Sequence, residues 1–239
     1  MTDTFSGDGT TVLPASVRVQ ADFDRLAALT HGEWDHSTCY HEFLMRNAPP
    51  RCRHALEVGC GTGTFTRLLA RRSAHILALD LSSGMIAAAR ARSAGFDNIE
   101  FQVADTATFP LPEGHFDVIA SIATLHHLPL EVMLRKFEAA LAPGGTLLIL
   151  DLVQSRGAAD IARSALALPV SRVLYAWHTR RVRPAAAVRA AWREHGDQDR
   201  YSTMAEVTHA CRGILPGARV QRHLLWRYSL VWTKSGGST

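Results

Sequence analysis

A glycine-rich segment at residues 57–63 is the part of this 239-residue chain best suited to ligand chemistry. It reads Glu-Val-Gly-Cys-Gly-Thr-Gly, after an apolar run that ends at Val58. Glycines permit a sharp turn and let a ligand lie against the backbone, and free N–H groups at a helix start face that ligand. A dinucleotide site needs G-x-G-x-x-G, but the last glycine would be Thr64 or Thr66, depending on where the count begins. The spacing therefore disfavours a nicotinamide oxidoreductase.

Three carboxylates fall at the ends of predicted strands. Glu57 lies in the first strand, Asp80 ends the second, and Asp105 follows the third. The carboxyl ends of adjacent strands in a doubly wound sheet share one crevice. An acidic crevice is unsuited to pyrophosphate but suits a nucleoside that carries a positive charge. The pattern therefore favours a sulfonium such as S-adenosylmethionine.

Short apolar runs alternate with amphipathic segments between residues 54 and 151. The predicted strands are 54–58, 75–79, 99–103, 116–122 and 146–151, and the predicted helices are 64–72, 83–94 and 129–141. This alternation is typical of a parallel sheet with helices on both faces. We therefore expect an α/β protein with a doubly wound, Rossmann-like sheet.

The alternation stops after Asp151. The composition predicts helices at 158–178, interrupted at Pro169, and at 184–195, and Thr203 and Glu206 form a capping box for another that ends at Gly213. Residues 219–225 and 228–234 then alternate as strands do. Two strands so close together pair most easily in an antiparallel hairpin.

Composition narrows the class and the compartment. With 47% hydrophobic and 20% charged residues, the chain fits a globular protein rather than a disordered one. Four cysteines without a C-x-x-C pair argue against zinc and for reduced thiols in the cytoplasm. The first ten residues lack the pattern of a secretory signal, and no apolar run is long enough for a membrane span. Residues 151–239 hold 14 basic residues against six acidic ones, which fits either a solvated arginine-rich surface or a polyanion-binding one.

Five segments, in order and at ordinary spacing, resemble the class I S-adenosylmethionine-dependent methyltransferases, in particular the broad group that acts on small molecules. They read A-L-E-V-G-C-G-T-G, L-A-L-D-L-S-S-G-M, V-A-D-T, F-D-V-I-A-S-I-A-T-L-H-H-L and L-A-P-G-G-T-L-L-I-L. The resemblance implies a seven-stranded sheet that ends in an antiparallel hairpin. It also implies one methyltransferase domain over residues 1–239, with a helical lead-in or lid (1–50), a cofactor-binding half (51–151), a helical substrate cap (152–202) and a last helix with two strands (203–239).

The same resemblance implies how S-adenosylmethionine, and its product S-adenosylhomocysteine, would be held at the glycine segment. The residues beneath the methionine part would be Gly59, Cys60, Gly61 and Gly63. Glu57 would orient this segment. Arg46 would pair with the methionine carboxylate.

The rest of the donor pocket follows from the same resemblance. Asp80 would accept hydrogen bonds from both ribose hydroxyls, and Asp105 from the adenine amino group. The other positions would line the adenine ring or border the sulfonium: Leu81, Met85 and Thr106 at the adenine, Ser121 and Ile122 at the sulfonium.

Histidines are the candidates for a general base, because imidazole titrates near neutrality. His126 and His127 follow the fourth strand, where such enzymes bring the substrate close to the cofactor, and we favour His127. His36 and His41, in the segment W-D-H-S-T-C-Y-H, are second candidates if a helix there closes over the site. Roles in packing or cofactor contact are open for His126 and His127, and an amphipathic helix with solvent-exposed histidines is the alternative for His36 and His41. We expect no metal, because no other cluster of His, Asp or Cys has catalytic metal spacing.

Other functions remain open at this point. A nucleic-acid methyltransferase would account for the basic C-terminal part, but the chain has S-I-A-T after the fourth strand, where amino-directed enzymes have an N/D-P-P-Y/F signature, and no recognisable nucleic-acid-binding module. A cyclase, or a non-catalytic subunit that binds the cofactor, would keep the same fold. The sequence favours a small-molecule substrate, no membrane partner, and methyl transfer to oxygen, nitrogen or carbon.

Overall fold

The computed structural model describes residues 15–29 and 34–236. The first ten residues, where the sequence predicts no secretory signal, lie outside the described part. The strands are β1 (Cys52–Val58), β2 (Ser73–Asp80), β3 (Ile99–Val103), β4 (Phe116–Ile122), β5 (Leu141–Leu152), β6 (Arg219–Arg222) and β7 (Arg227–Thr233). The α-helices are α1 (Ala15–Leu29), α2 (His41–Asn47), α3 (Thr64–Ala70), α4 (Ser83–Arg92), α5 (Leu130–Ala140), α6 (Ala158–Thr179), α7 (Ala186–Gly196) and α8 (Met204–Ile214). Two 3₁₀ turns cover His36–Tyr40 and Leu125–His127.

The seven strands form one sheet in the order β3-β2-β1-β4-β5-β7-β6. The strands from β1 to β5 pair in parallel, and β7 runs antiparallel to both β5 and β6. The predicted Rossmann-like sheet with an antiparallel C-terminal hairpin is therefore confirmed. The order reverses at β1 and β4, so the carboxyl ends of these two strands border the crevice where such folds bind ligands.

The core lies on both faces of the central strands because their residues are apolar on both sides. On one face, Leu56 and Ile119 pack in a cluster with Phe137 of α5. On the other face, Ala55 and Val118 belong to a cluster that α2 and α3 complete. This double covering fixes the strand ends that carry the polar residues.

Several predicted boundaries need correction. Helix α6 continues through Pro169, where the sequence predicts an interruption; a proline removes one N–H donor, and the residues on both sides remain helical. Strand β5 begins at Leu141 rather than at residue 146, because Leu141 pairs with Phe116 and the register then shifts before Thr146. Strand β6 ends at Arg222 rather than at residue 225, because the chain turns there with Trp226 at a φ of 54°.

The segment that begins at Trp34 forms a 3₁₀ turn where the sequence suggests an α-helix. Asp35 is its N-cap, and the carboxylate accepts hydrogen bonds from the backbone N–H groups of Ser37 and Thr38. This cap holds the chain in the tighter turn. The Tyr40 hydroxyl oxygen then accepts a hydrogen bond from the Leu225 N–H at 3.1 Å.

Helices from both ends of the chain cover α4. Leu26 of α1, Met85 of α4 and Ala191 of α7 form one buried cluster. Helix α1 of the lead-in segment and helix α7 of the predicted cap therefore meet on α4, the helix that follows β2. Within the described ranges, no helix combines the length and the apolarity that a bilayer span requires.

Candidate active site

The glycine segment turns through three left-handed backbone positions between β1 and α3. Gly59, Gly61 and Gly63 have φ values of 70°, 52° and 78°. A Cβ atom on Gly59 would lie 1.9 Å from Thr124 Oγ1, so glycine is required there for close packing. A Cβ on Gly61 would meet no atom within 4 Å. Gly61 therefore presents open backbone, as a surface for a ligand must.

Asp80, at the end of β2, holds this segment from the side. Its Oδ2 accepts a hydrogen bond from the Gly61 N–H at 2.8 Å, and its Oδ1 accepts one from the Ser82 N–H at 2.9 Å. Burial raises the pKa of Asp80, and these two bonds oppose that rise. A carboxylate has about four acceptor positions, so this group can hold the loop and accept further hydroxyl donors.

Glu57 lies beneath the segment and is only 2% exposed. Its Oε2 accepts a hydrogen bond from the Thr66 hydroxyl of α3 at 2.5 Å. Burial raises the pKa of Glu57 to about 8, so the carboxyl group is mostly protonated at neutral pH. Glu57 therefore links β1 to α3 as a neutral group. In this state it supports the glycine segment through the protein and offers a ligand no negative charge.

The remaining predicted donor-site residues lie on neighbouring strand ends. The Ser121 hydroxyl on β4 is fully buried and has no hydrogen-bond partner. Asp105 accepts a hydrogen bond from the Ala107 N–H at 2.9 Å, and Thr106 is buried beside it. Of the others, Cys60 and Met85 are buried, and Leu81 and Ile122 are half-buried.

Arg46 is the donor-site prediction with the least structural support. Its guanidinium pairs with the Glu42 carboxylate one turn earlier on α2, and its side chain is 73% exposed. The Arg46 side chain therefore lies on an exposed face of α2, where its contact is with Glu42.

Across the crevice, His126, His127, His195 and Asp199 form a cluster that we call the histidine centre. Asp199 Oδ2 lies 3.7 Å from His126 Nε2 and 3.4 Å from His195 Nε2, and Asp199 Oδ1 lies 3.5 Å from His127 Nδ1. The side chains of His126 and Asp199 are 5% and 4% exposed. The sequence predicts the pair at 126–127, and the fold adds Asp199, so that one ligand atom of each of these three residues lies within 4.8 Å of the others.

Two more carboxylates fix the rings of the histidine centre. His126 Nδ1 lies 2.6 Å from Asp151 Oδ1, and Asp151 Oδ2 accepts the His126 backbone N–H at 2.7 Å. His195 Nδ1 lies 3.0 Å from Asp22 Oδ2 on α1. Because a carboxylate only accepts, a neutral ring held in this way carries its proton on Nδ1 and directs the Nε2 lone pair toward Asp199.

The His127 side chain is 10% exposed in the histidine centre. Burial, with smaller effects from His126, His195 and Arg18, lowers its pKa to about 3. Its Nε2 is buried without a hydrogen-bond partner. Phe23 of α1 packs edge-on against its ring at a centroid distance of 5.8 Å. A ring with so low a pKa is a weak base. This argues against His127 as the general base, although the sequence analysis favours it over His126.

His36 and His41 lie in other surroundings. The His36 ring is 2.7 Å from the Ser171 hydroxyl of α6 and packs edge-on against Trp226. His41 is buried against the Phe65 ring of α3. Burial lowers the pKa of both histidines. Each of these contacts joins the lead-in segment to another element, which is a structural function.

Sequence reasoning missed four residues of this region. Asp22 lies on α1, Asp151 lies near the end of β5, His195 lies on α7, and Asp199 follows α7. Asp151 ends a parallel strand, so the rule that predicts Asp80 could have found it as well. His195 lies in the last turn of α7 and Asp199 follows the end of that helix, so only the fold shows that they face each other and the histidine pair.

Comparison with known proteins agrees with this geometry. Residues 55–145 match the methyltransferase domain family. An uncharacterized methyltransferase of Mycobacterium tuberculosis is 29% identical over 203 residues, which cover 83% of this chain and 96% of that protein. The demethylmenaquinone methyltransferase of Clavibacter sepedonicus is 34% identical over 44% of this chain and 43% of that protein. The N-methyltransferase NodS of Bradyrhizobium japonicum has the same fold, with a TM-score of 0.61 and 18% identity over 90% of this chain and 97% of the other.

Residues 55–145 therefore carry a methyltransferase domain, and the chain shares its fold with methyltransferases whose structures hold S-adenosylhomocysteine. Together with the relatives named as methyltransferases, these matches support an enzyme of the class I S-adenosylmethionine-dependent methyltransferases.

Proposed function

We propose that this protein transfers the methyl group of S-adenosylmethionine to a small molecule that binds between the glycine segment and the histidine centre. The observation that carries the proposal is the enclosure of this centre. Asp22 and Phe23 of α1 contact its His127 and His195 rings from one side, and α7, which carries His195, covers it from another. A site covered by two helices fits a small acceptor better than it fits a nucleic-acid strand.

The residues of the glycine segment suit the donor. Gly61 has open space where a Cβ would stand, and the Asp80 carboxylate next to it retains acceptor positions for ribose hydroxyls. Asp105 and Thr106, at the next strand end, would lie at the adenine, with Leu81 and Met85. The unpartnered Ser121 hydroxyl and Ile122 would border the sulfonium. Gly59, Cys60 and Gly63 would complete the backbone surface, supported by Glu57.

Bound S-adenosylmethionine would supply an electrophilic methyl group, which the acceptor's nucleophile attacks in line as the bond to sulfur breaks and S-adenosylhomocysteine leaves. The chain itself contributes by holding the acceptor in the right direction and by excluding water. Thr124 links the two halves of the site, because its side chain packs on Gly59 and it begins the 3₁₀ turn that carries the histidine pair. A short, fixed connection of this kind keeps the distance from donor to acceptor constant.

The names of several relatives support a small acceptor. Some matched relatives are named for methyl transfer to demethylmenaquinone, phosphoethanolamine or trans-aconitate. These acceptors differ in size and charge, so they favour the class of substrate and leave the acceptor atom open among oxygen, nitrogen and carbon. Among the four histidines predicted as bases, we assign His126 and His127 to the acceptor side, and His36 and His41 to the lid contacts.

Calorimetry with S-adenosylmethionine and S-adenosylhomocysteine tests the donor site. Asp80→Asn removes charge from the ribose contact, and we expect about ten- to hundredfold weaker binding. The matched control is Asp97→Asn, an exposed aspartate outside the site. Equal affinity in the wild type and Asp80→Asn would contradict the donor assignment.

Mass spectrometry of metabolite mixtures tests the acceptor. We expect the wild type to add one CH₂ unit to at least one small molecule, with release of S-adenosylhomocysteine. Modification confined to RNA or DNA, with steep loss of activity at high salt, would overturn the small-molecule proposal. A changed substrate without added mass would instead indicate a cyclase.

A further inference from the structure

We propose that His126, His127 and Asp199 bind a divalent first-row transition-metal ion such as Zn²⁺. Each of the three residues offers one ligand atom, and these atoms all lie within 4.8 Å of one another. Two imidazoles and one carboxylate are a donor set that Zn²⁺ and its neighbours accept readily.

The distances favour an ion over a network of direct hydrogen bonds. Asp199 Oδ2 lies 3.7 Å from His126 Nε2, and Asp199 Oδ1 lies 3.5 Å from His127 Nδ1, which is long for hydrogen bonds. Two ligand atoms on a tetrahedral zinc ion, each at about 2.1 Å, are about 3.4 Å apart. These two separations are near that value, and the three ligand atoms, within 4.8 Å of one another, would move closer around an ion.

The contacts of His126 point the same way. Asp151 Oδ1 lies 2.6 Å from Nδ1 of His126, so Nε2 is the ring atom that faces Asp199 Oδ2, at 3.7 Å. An ion between Nε2 and the carboxylate would join two atoms that lie too far apart for a direct hydrogen bond.

The surroundings resemble those of an assembled metal site. Metal-binding histidines usually donate their second N–H to a carboxylate, which fixes the ring and raises its basicity. Asp151 does this for His126. Asp199 is held in turn by the Tyr201 hydroxyl, which donates to Oδ2 at 3.2 Å, and it lies 3.4 Å from His195 Nε2. His195 is itself fixed by Asp22 of α1.

Three protein ligands leave a coordination position open, as in catalytic rather than structural sites. An oxygen of the acceptor would occupy that position, and the ion would orient the oxygen and lower its pKa. This use of the ion rests on the proposed methyl transfer, whereas metal binding itself does not.

Titration of metal-depleted protein with Co²⁺ tests the binding directly, because tetrahedral Co²⁺ with histidine ligands gives intense visible absorption. We expect one equivalent of Co²⁺ to produce these bands, and Zn²⁺ to abolish them by displacement. Calorimetry with Zn²⁺ gives the affinity. Asp199→Asn and His127→Gln should weaken it at least tenfold, and Asp22→Asn, which acts only through His195, should weaken it less.

A surface stack of His54, His75 and His115 provides the matched control, because exposed imidazoles also bind Zn²⁺. His54→Gln should leave the Co²⁺ bands unchanged. Circular dichroism and S-adenosylhomocysteine binding show whether each variant is folded. Absence of the bands in folded wild type, or their loss in His54→Gln but not in Asp199→Asn, would overturn the metal site while leaving the donor site intact.

Discussion

Asp24 of the lid helix caps the helix that follows the donor strand: its carboxylate accepts a hydrogen bond from the Gly84 N–H at 2.9 Å. The Ser82 hydroxyl donates to the same oxygen at 2.5 Å. These bonds join α1 to the start of α4, directly after Asp80. The lead-in segment is thereby fastened to the half of the crevice that faces the donor.

Asp24→Ala should loosen this attachment. We expect hydrogen exchange in α1 to become faster, corresponding to about 1–2 kcal/mol less protection, and S-adenosylmethionine to dissociate more rapidly. Hydrogen-exchange mass spectrometry and stopped-flow binding measure the two effects. Asp97→Ala serves as the control. Unchanged exchange in α1 would show that the cap does not hold the lid.

Glu57→Gln should change how stability depends on pH. The folded protein keeps the Glu57 proton up to pH about 8, whereas the unfolded chain releases it near the ordinary value of 4.5. Its contribution to the free energy of unfolding is therefore complete below pH about 4.5 and is lost as the pH rises through about 8, by an amount on the order of several kcal/mol. Glutamine stays neutral and escapes this loss.

Urea unfolding at acidic and mildly alkaline pH measures the Glu57 effect. The wild type should lose more stability than Glu57→Gln between these two conditions. Exposed Glu131→Gln should behave as the wild type does. Parallel curves for the wild type and Glu57→Gln would contradict the buried, protonated state.

Alanine substitutions at two glycines separate packing from ligand binding. Gly59→Ala places its Cβ 1.9 Å from Thr124 Oγ1 and should unfold or severely destabilise the protein. Gly61→Ala meets open space, so it should cost only about 1–2 kcal/mol for the left-handed backbone. Gly61→Ala should nevertheless lose most of its affinity for S-adenosylmethionine, because the new methyl group stands where the ligand would lie. Thermal unfolding and calorimetry together check both expectations, and full affinity in folded Gly61→Ala would argue against this surface.

Arg46→Ala tests the least supported donor contact. The exposed pair with Glu42 is worth about 0–1 kcal/mol of stability. If Arg46 contacts only Glu42 on the helix surface, the affinity of Arg46→Ala for S-adenosylmethionine should change less than about threefold, as measured by calorimetry. Glu42→Ala is the matched control. A tenfold loss of affinity in Arg46→Ala, without a loss in Glu42→Ala, would support the contact between Arg46 and the methionine carboxylate.

From the sequence, more of the residues proposed for the donor half could be placed together than of those around the histidine pair. Glycine spacing and strand-end carboxylates are local signals, so Gly61 and Asp80 could be placed beside each other from the order of the strands alone. His195 and Asp199 reach His126 only because α7 folds back over the sheet, and contacts between distant segments leave no periodic trace in the sequence. Pro169 shows the reverse error, since a strong local rule for ending helices did not apply in α6.

Two aspartates within a single turn of α1 have consequences for the order of events in turnover. Asp24 is anchored at the donor side and Asp22 at the histidine side, so a rigid helix cannot leave one anchor and keep the other. Entry of the two reactants, and departure of the two products, would then share one gate, which predicts that release of the spent thioether and of the methylated compound is kinetically linked.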